Sequence, residues 1–309
     1  MHKIYKKSLR ANTIEEIVRL EKNQTGVWIN ITSPDTTDID LVRSQTPLNS
    51  EEVYSLFDEF ERPRIEKNED TIIIVFHIPL LVDNFLETTP LVIMITSTSI
   101  ITICKHETQI VSDFIQGIFL SFNTTMKTRF VLLLLKRINY YFDRTMRTID
   151  QTLEQFEKNL AKYNDNKEVG RIFNIKKSLI YFKTAVIANG KVLRRITGGH
   201  FLPLFEEDKE ILEDLIVDND QISEIVGIYA DIITSSLDTY SSVVSNNMNM
   251  VMKSLTSVTI TLAIPTVLAS LWGMNVHVPL ADNPFAFAII VILALVMTFS
   301  VNYFYLKRK

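Results

Sequence analysis

A chain of 309 residues that is 47% apolar, with 32 Lys+Arg against 36 Asp+Glu and a formal charge of −4, has room for a soluble part beside a membrane part. It lacks the basic excess that nucleic-acid binding requires. A single cysteine, Cys104, excludes a disulfide framework and a thiolate metal cluster, and its place in an apolar run marks it as a small buried residue.

Lys3, Lys6, Lys7 and Arg10 open the chain, and the absence of a following apolar stretch argues against a signal peptide. Gly26 to Thr32 reads as a strand, rich in branched and aromatic residues. Ser33-Pro34-Asp35 reads as a helix start, with Ser33 as cap and Pro34 in the first turn. Asn49 with Glu52 forms a capping box predicting a helix to Phe60, which Arg62-Pro63 breaks. Thr71 to Val82 is an apolar, β-branched run, and Leu91 to Lys105 predicts a hairpin about Ser97-Thr98-Ser99. The expected fold is an α/β domain with a mainly buried sheet over 1–125.

From Ser112 the pattern is helical. Phe130 to Leu135 is strongly apolar, but Lys136 and Arg137 cut it short of a membrane span, so it is expected in the core. A helix over Met126 to Tyr163, a turn at Asn164-Asp165-Asn166 and a second helix to Ile196, ended by Gly198-Gly199, predict an antiparallel helical hairpin over 126–205.

Glu206 begins a long uninterrupted pattern, a stalk helix over 206–250. Ile222, Val226, Tyr229, Ile233, Tyr240 and Val244 share one face in a heptad-like seam. Continued to Gly273 it would be about 100 Å long at 1.5 Å per residue, which calls for neighbouring subunits along it. The alternative is two helices with a break near Asp218-Asn219-Asp220.

The remainder, 251–309, carries two charge-free runs, at about 254–274 and 285–306, each long enough to cross a bilayer. Lys253 and Lys307-Arg308-Lys309 flank them on one side, and the loop Val276 to Pro284 has no Lys or Arg. The positive-inside rule then puts both termini in the cytoplasm of a multi-pass plasma-membrane protein. The second run is uniformly apolar over Phe285 to Leu293 and suits lipid. The first carries a stripe at alternating steps of three and four: Asn249, Met252, Thr256, Thr259, Ala263, Thr266 and Ser270. Such a stripe serves either helix packing or a water-lined path, and its full length favours the path. Met252 and Leu255 would then form a dry constriction. His2, His77, His106, His200 and His277 include no i, i+4 pair, and no phosphate loop or nucleophile elbow is present, so enzyme activity is not expected. The acids of 206–220 read as a solvated face.

Gly273-Met274-Asn275 at the end of the first span, with Pro265-Thr266 within it and Ser245-Asn246-Asn247-Met248-Asn249-Met250-Val251-Met252-Lys253 before it, resembles the signature of the CorA magnesium transporters. The resemblance covers the C-terminal third well and the rest loosely. It departs at Trp272, where the family usually has Tyr.

It implies a funnel-shaped homopentamer that carries Mg²⁺ through a two-span pore, with Gly273, Met274 and Asn275 as the selectivity filter. It also implies a regulatory cation site pairing an acid of the long helix with one of the α/β domain. Asp214 matches the first by its distance from Asn249. The second falls at Ser55, where the family has an acid, and Asp58 nearby is the substitute. Zinc-, cobalt- or nickel-carrying relatives and a non-conducting membrane-anchored sensor are the alternatives. A further reading makes Asn275 only a helix cap.

Overall fold

The β-branched runs fold into one sheet that is buried on both faces. The structure, a computed structural model, describes residues 2–8, 14–18, 20, 24–82, 85–118, 122–159, 166–276, 278–279 and 283–307. In chain order the elements are β1 (His2–Lys6), β2 (Glu15–Ile17), β3 (Val27–Thr32), α1 (Thr36–Gln45), α2 (Ser50–Ser55), β4 (Arg64–Asn68), β5 (Thr71–Val82), β6 (Phe85–Ile95), β7 (Ser99–Cys104) and α3 (Gln109–Ile115). Four helices complete them: α4 (Lys127–Asn159), α5 (Asn166–Thr197), α6 (Glu206–Trp272) and α7 (Ala286–Lys307). The seven strands lie in the order β2-β1-β3-β7-β6-β5-β4. The β3–β7 pair is parallel and the others antiparallel.

Alternation along β3 divides the core. Val27, Ile29 and Ile31 pack with Val75, Val92, Met94, Ile101 and Ile103 against Ile39, Val42, Val53 and Leu56 of the α1–α2 side. On the other face Trp28 meets Phe130 of α4 at 5.1 Å and Phe114 of α3 at 6.4 Å between ring centroids. Its indole N–H is satisfied by Thr102 Oγ1 at 2.8 Å, and that hydroxyl donates to Asn30 Oδ1 at 2.8 Å. Phe130, Val131, Leu132, Leu134 and Leu135 are fully buried, as expected of a core segment. Cys104 is buried as well, and burial pushes its thiol up to about 11.

Local capping departs from the sequence reading in two places. The cap of α1 is Asp35, not Ser33: its carboxylate accepts from the Thr37 and Asp38 N–H groups, and Asp38 accepts from the Asp35 N–H in return. A carboxylate is the stronger acceptor, and Ser33, at φ +48, instead donates to the Lys105 carbonyl. The Asn49–Glu52 capping box is present, but α2 ends at Ser55 and not at Phe60, because Leu56 is drawn into the core and the chain turns. The turn at Ser97-Thr98-Ser99 joins β6 to β7 with Ile95 opposite Ile100, and Lys127 Nζ donates to the Thr96 and Ser97 carbonyls, 2.6 Å each. Asn164 and Asp165 of the predicted turn, and Tyr163 at the predicted helix end, lie outside the described residues.

The chain divides into two compact units, Met1–Ser236 and Leu237–Lys309. Sheet, helical hairpin and the first half of α6 therefore share one unit. The helix is continuous through Asp218-Asn219-Asp220, and that triplet joins it to α5. Asn219 Nδ2 donates to the Val186 carbonyl at 3.1 Å, and Arg194 holds both Asp220 oxygens at 2.5 and 2.7 Å. A Cβ at Gly190 would stand 2.7 Å from Asn219 Nδ2, so glycine permits this approach. From α4, Asn139 Nδ2 donates to the Leu215 carbonyl and Arg129 pairs with Glu207 and Asp208. Leu212, Leu215, Ile222, Val226 and Ile233 are buried, so this part of the seam is covered within the chain and needs no neighbouring subunit. Each such side chain contributes about 1.5–3 kcal/mol against about 1 kcal/mol net for a hydrogen bond, so the apolar seam holds the helix and the amides fix its register.

Asn189 closes the edge of β5: its Oδ1 accepts from the His77 N–H at 2.9 Å and its Nδ2 donates to the His77 carbonyl at 2.8 Å. The His77 ring faces the Glu61 carbonyl at 2.7 Å, and burial lowers its pKa from 6.5 to about 4. Below pH 6.5 the unfolded chain takes up a proton that the folded chain refuses, so stability is complete above that pH and is lost as pH falls toward 4. The loss at pH 5 is about 2 kcal/mol. Thermal unfolding of the chain in detergent should show a lower midpoint at pH 5 than at pH 7.5, and His77→Gln, which leaves the backbone bridge to Asn189 in place, should reduce the difference.

Candidate functional site

The second unit contains the end of α6 and all of α7, the two helices long and apolar enough to cross a membrane. They are tied together by one amide. Asn302 Oδ1 accepts from Ser257 Oγ at 2.6 Å, and Asn302 Nδ2 donates to Thr261 Oγ1 at 2.8 Å and to the Thr298 carbonyl at 3.2 Å. Around these bonds the better-covered residues are Ser257, Ile260, Ile264, Leu268 and Trp272 on α6, with Thr256 and Pro265 beside them, and Ala286, Ile290, Ala294, Thr298 and Asn302 on α7. Each set recurs at helical spacing on one face.

The stripe predicted from the sequence lies on another face. At 100° per residue its centre stands about opposite Ser257 and Thr261. Asn249, Met252, Leu255, Thr259, Ala263, Thr266 and Ser270 are exposed in the single chain, and Thr256 partly so. The threonine hydroxyls donate along their own helix: Thr259 Oγ1 to the Leu255 carbonyl at 2.9 Å and Thr266 Oγ1 to the Leu262 carbonyl at 2.7 Å. Their protons are thereby used, and the face presents oxygen lone pairs. Such a row accepts hydrogen bonds from water whose own oxygens point at a cation.

Helix α6 ends at Trp272, and Gly273, Met274 and Asn275 follow, all exposed. The Gly273 N–H still bonds the Ala269 carbonyl at 2.9 Å, and a Cβ there would stand 3.2 Å from that oxygen. Among the described residues nothing hydrogen-bonds the Asn275 side chain, so its amide remains available. His277 of the following loop lies outside the described residues, as do Arg308 and Lys309 of the basic tail. Lys307 is described, with Nζ 5.4 Å from the Tyr303 ring.

The two acids assigned to a regulatory site both lie in the first unit. Asp214 is exposed on α6, and Asp58, in the turn after α2, accepts from the Phe60 N–H at 3.0 Å. Ser55 donates to the Glu52 carbonyl. Among the described residues no group of three or more His, Cys, Asp or Glu is placed to hold a metal ion.

Sequence reasoning overlooked Asn302 and its partners Ser257 and Thr261. The signal was present: an amide within an apolar run is costly in hydrocarbon unless it is partnered. The second span read as uniformly apolar only because the reading stopped at Leu293.

A model for "CorA-like Mg2+ transporter protein" matches residues 23–308. The cobalt/magnesium transport protein CorA of Methanocaldococcus jannaschii is 28% identical over 293 residues, covering 92% of this chain and 90% of that one. The protein of the same name from Thermotoga maritima is 23% identical over 279 residues, 87% of this chain and 78% of its own. In fold, the complete structure of the CorA magnesium transporter from M. jannaschii matches with a TM-score of 0.83 at 24% identity, over 100% of this chain and 98% of that one.

Proposed function

The chain belongs to the family of CorA-like Mg2+ transporter proteins, and we propose that it conducts Mg²⁺ across the plasma membrane through a pore lined by α6. The observation that carries this reading is the stripe Asn249 to Ser270, turned away from α7 and followed by Gly273-Met274-Asn275. Two spans cannot enclose water, so several copies assemble with α6 inside and α7 toward lipid, five of them by family resemblance. Lys253 and Lys307 flank the spans on the cytoplasmic side, which holds both termini and the sheet-bearing unit.

Mg²⁺ demands octahedral oxygen coordination at about 2.0–2.1 Å and gives up its waters reluctantly. A ring of Asn275 amide oxygens accepts hydrogen bonds from those waters without stripping them. Gly273 lets backbones approach near the ring, and Met274 packs between helices. The hydroxyls of Thr266, Thr259 and Thr256 continue the acceptor row, and Met252 and Leu255 form the dry constriction, with Asn249 at its cytoplasmic edge. Asp214 of one copy and Asp58 of the next hold a cytosolic Mg²⁺ that keeps the pore closed. Without it their like charges repel.

Mass measurement in detergent should give an oligomer, and a monomer alone would defeat the pore. Uptake into vesicles, compared across Mg²⁺, Co²⁺, Ni²⁺ and Zn²⁺, tests the ion. Asn275→Gly keeps a residue able to end a helix, and Mg²⁺ uptake by the folded, oligomeric variant should fall to background. Uptake at the parent rate would place the filter elsewhere. Asp214→Ala should raise the Mg²⁺ concentration for half-closure by about three- to tenfold. An unchanged closure curve would remove Asp214 from the mechanism.

A further inference from the structure

We infer that Asn302 of α7 is a positioning residue for the ion path: its amide sets the rotation of α6 and so decides which face of that helix meets the ion. The inference rests on the pore reading above. Asn302 is the side chain that bonds both Ser257 and Thr261, the two hydroxyls lying about opposite the centre of the stripe. A rotation of α6 by one residue's 100° would break both bonds and carry Thr259 and Thr266 away from the lumen.

The attachment falls where α6 is least able to hold its own direction. Pro265 has no N–H, so the Thr261 carbonyl lacks its helical donor four residues on. The Thr261 hydroxyl donates to the Ser257 carbonyl at 2.7 Å and accepts from Asn302, so the turn just before the proline is bonded across to α7. One turn away on the same face of α7, Thr298 Oγ1 is buried and has no hydrogen-bond partner among the described residues. A hydroxyl left alone beside a fully bonded amide shows that polarity on this face is not sufficient for attachment. Asn302 reaches across because it is long enough and carries both donor and acceptor. Apolar packing alone, with Ala286 and Ala294 on the α7 face, would permit rotation; a donor–acceptor pair engaged by two hydroxyls one turn apart does not.

The test reads rotation directly. Cys104 is the one cysteine and is buried, so thiols introduced into α6 are labelled without background. In the otherwise unchanged chain, Thr259→Cys and Thr266→Cys should react with a charged, membrane-impermeant thiol reagent, and Ile264→Cys should be protected. Adding Asn302→Leu should lower the ratio of labelling rates at 259 and 264 about tenfold and lower Mg²⁺ uptake by a similar factor. Ser257→Ala, which removes one bond from the α6 side, should shift both readouts in the same direction by less, and keeps the test available if the leucine variant does not assemble. Thr298→Val removes the unpartnered hydroxyl and should leave both unchanged. An unaltered labelling ratio in oligomeric Asn302→Leu, or equal losses in Thr298→Val and Asn302→Leu, would overturn the assignment. Labelling does not depend on which ion is carried, so a parent chain that fails to take up Mg²⁺ counts against the pore reading and leaves this inference to the labelling ratio.

Discussion

A polar group in hydrocarbon is costly unless it finds a partner within the protein or through water, and the second unit meets that cost in two ways, with the buried Thr298 hydroxyl left outside both. Asn302 meets it inside one chain, by taking two hydroxyls and a carbonyl. Thr259 and Thr266 meet it locally, each by donating to the carbonyl four residues before it. These local bonds make α6 tolerable to lipid before any assembly, since no proton is left unpaired on those hydroxyls. They leave lone pairs that gain partners only when water reaches them. In the pore proposed above, insertion and hydration are thus separable steps: the two helices enter lipid as a hairpin, and the hydroxyl stripe would acquire water when copies close around it.

The soluble unit solves a different problem, how to fix a helix without a neighbour. The first half of α6 lays Leu212, Leu215, Ile222, Val226 and Ile233 against the rest of its unit. An apolar seam alone tolerates a shift of one turn. Asn139 and Asn219 remove that freedom, because each amide reaches a single backbone carbonyl across the interface, and Arg194 takes Asp220 with both oxygens. Beyond Ser236 the second unit begins, and residues 245–252 are exposed in one chain.

Legibility in the sequence followed the length and contrast of the pattern. Thr71–Val82, the hairpin about Ser97-Thr98-Ser99 and the helices of the hairpin and stalk were readable, because long apolar runs admit few alternatives. The strands β2 and β4 were not: EEI and RIEKN are short and charged, as edge strands that must resist further pairing tend to be. Ser33 was mistaken for a cap because sequence alone does not show that its backbone has left the extended region. Asp218-Asn219-Asp220 looked like a break because polarity is the usual mark of one. Here it marks an interface whose partners, Val186 and Arg194, lie far away in the chain. The shared face of Asn249 to Ser270 was legible from period alone, whereas the part played by Asn302 was not, since its meaning depends on Ser257 and Thr261 standing opposite.

The chemistry of the stripe bears on why it contains amides and hydroxyls but no carboxylate. Two unit charges at 4 Å interact by about 4 kcal/mol at an effective dielectric of 20, and a doubly charged ion facing several carboxylates would exceed that many times over. Such an ion would enter and stay. Neutral oxygens bind the outer face of its water shell, each contact weak and each replaced by the next along the helix. Thr256, Thr259, Thr266 and Ser270 supply acceptors at steps of three, seven and four residues, about 4.5, 10.5 and 6 Å of rise. Ala263 interrupts the row with a methyl group, which in the proposed pore would leave room where a bulkier side chain would narrow the path. In the pore proposed above, attraction strong enough to gather the ion would therefore have to come from outside the span, and selectivity would rest on the size and rigidity of the hydrated ion as it meets a ring of Asn275 amides.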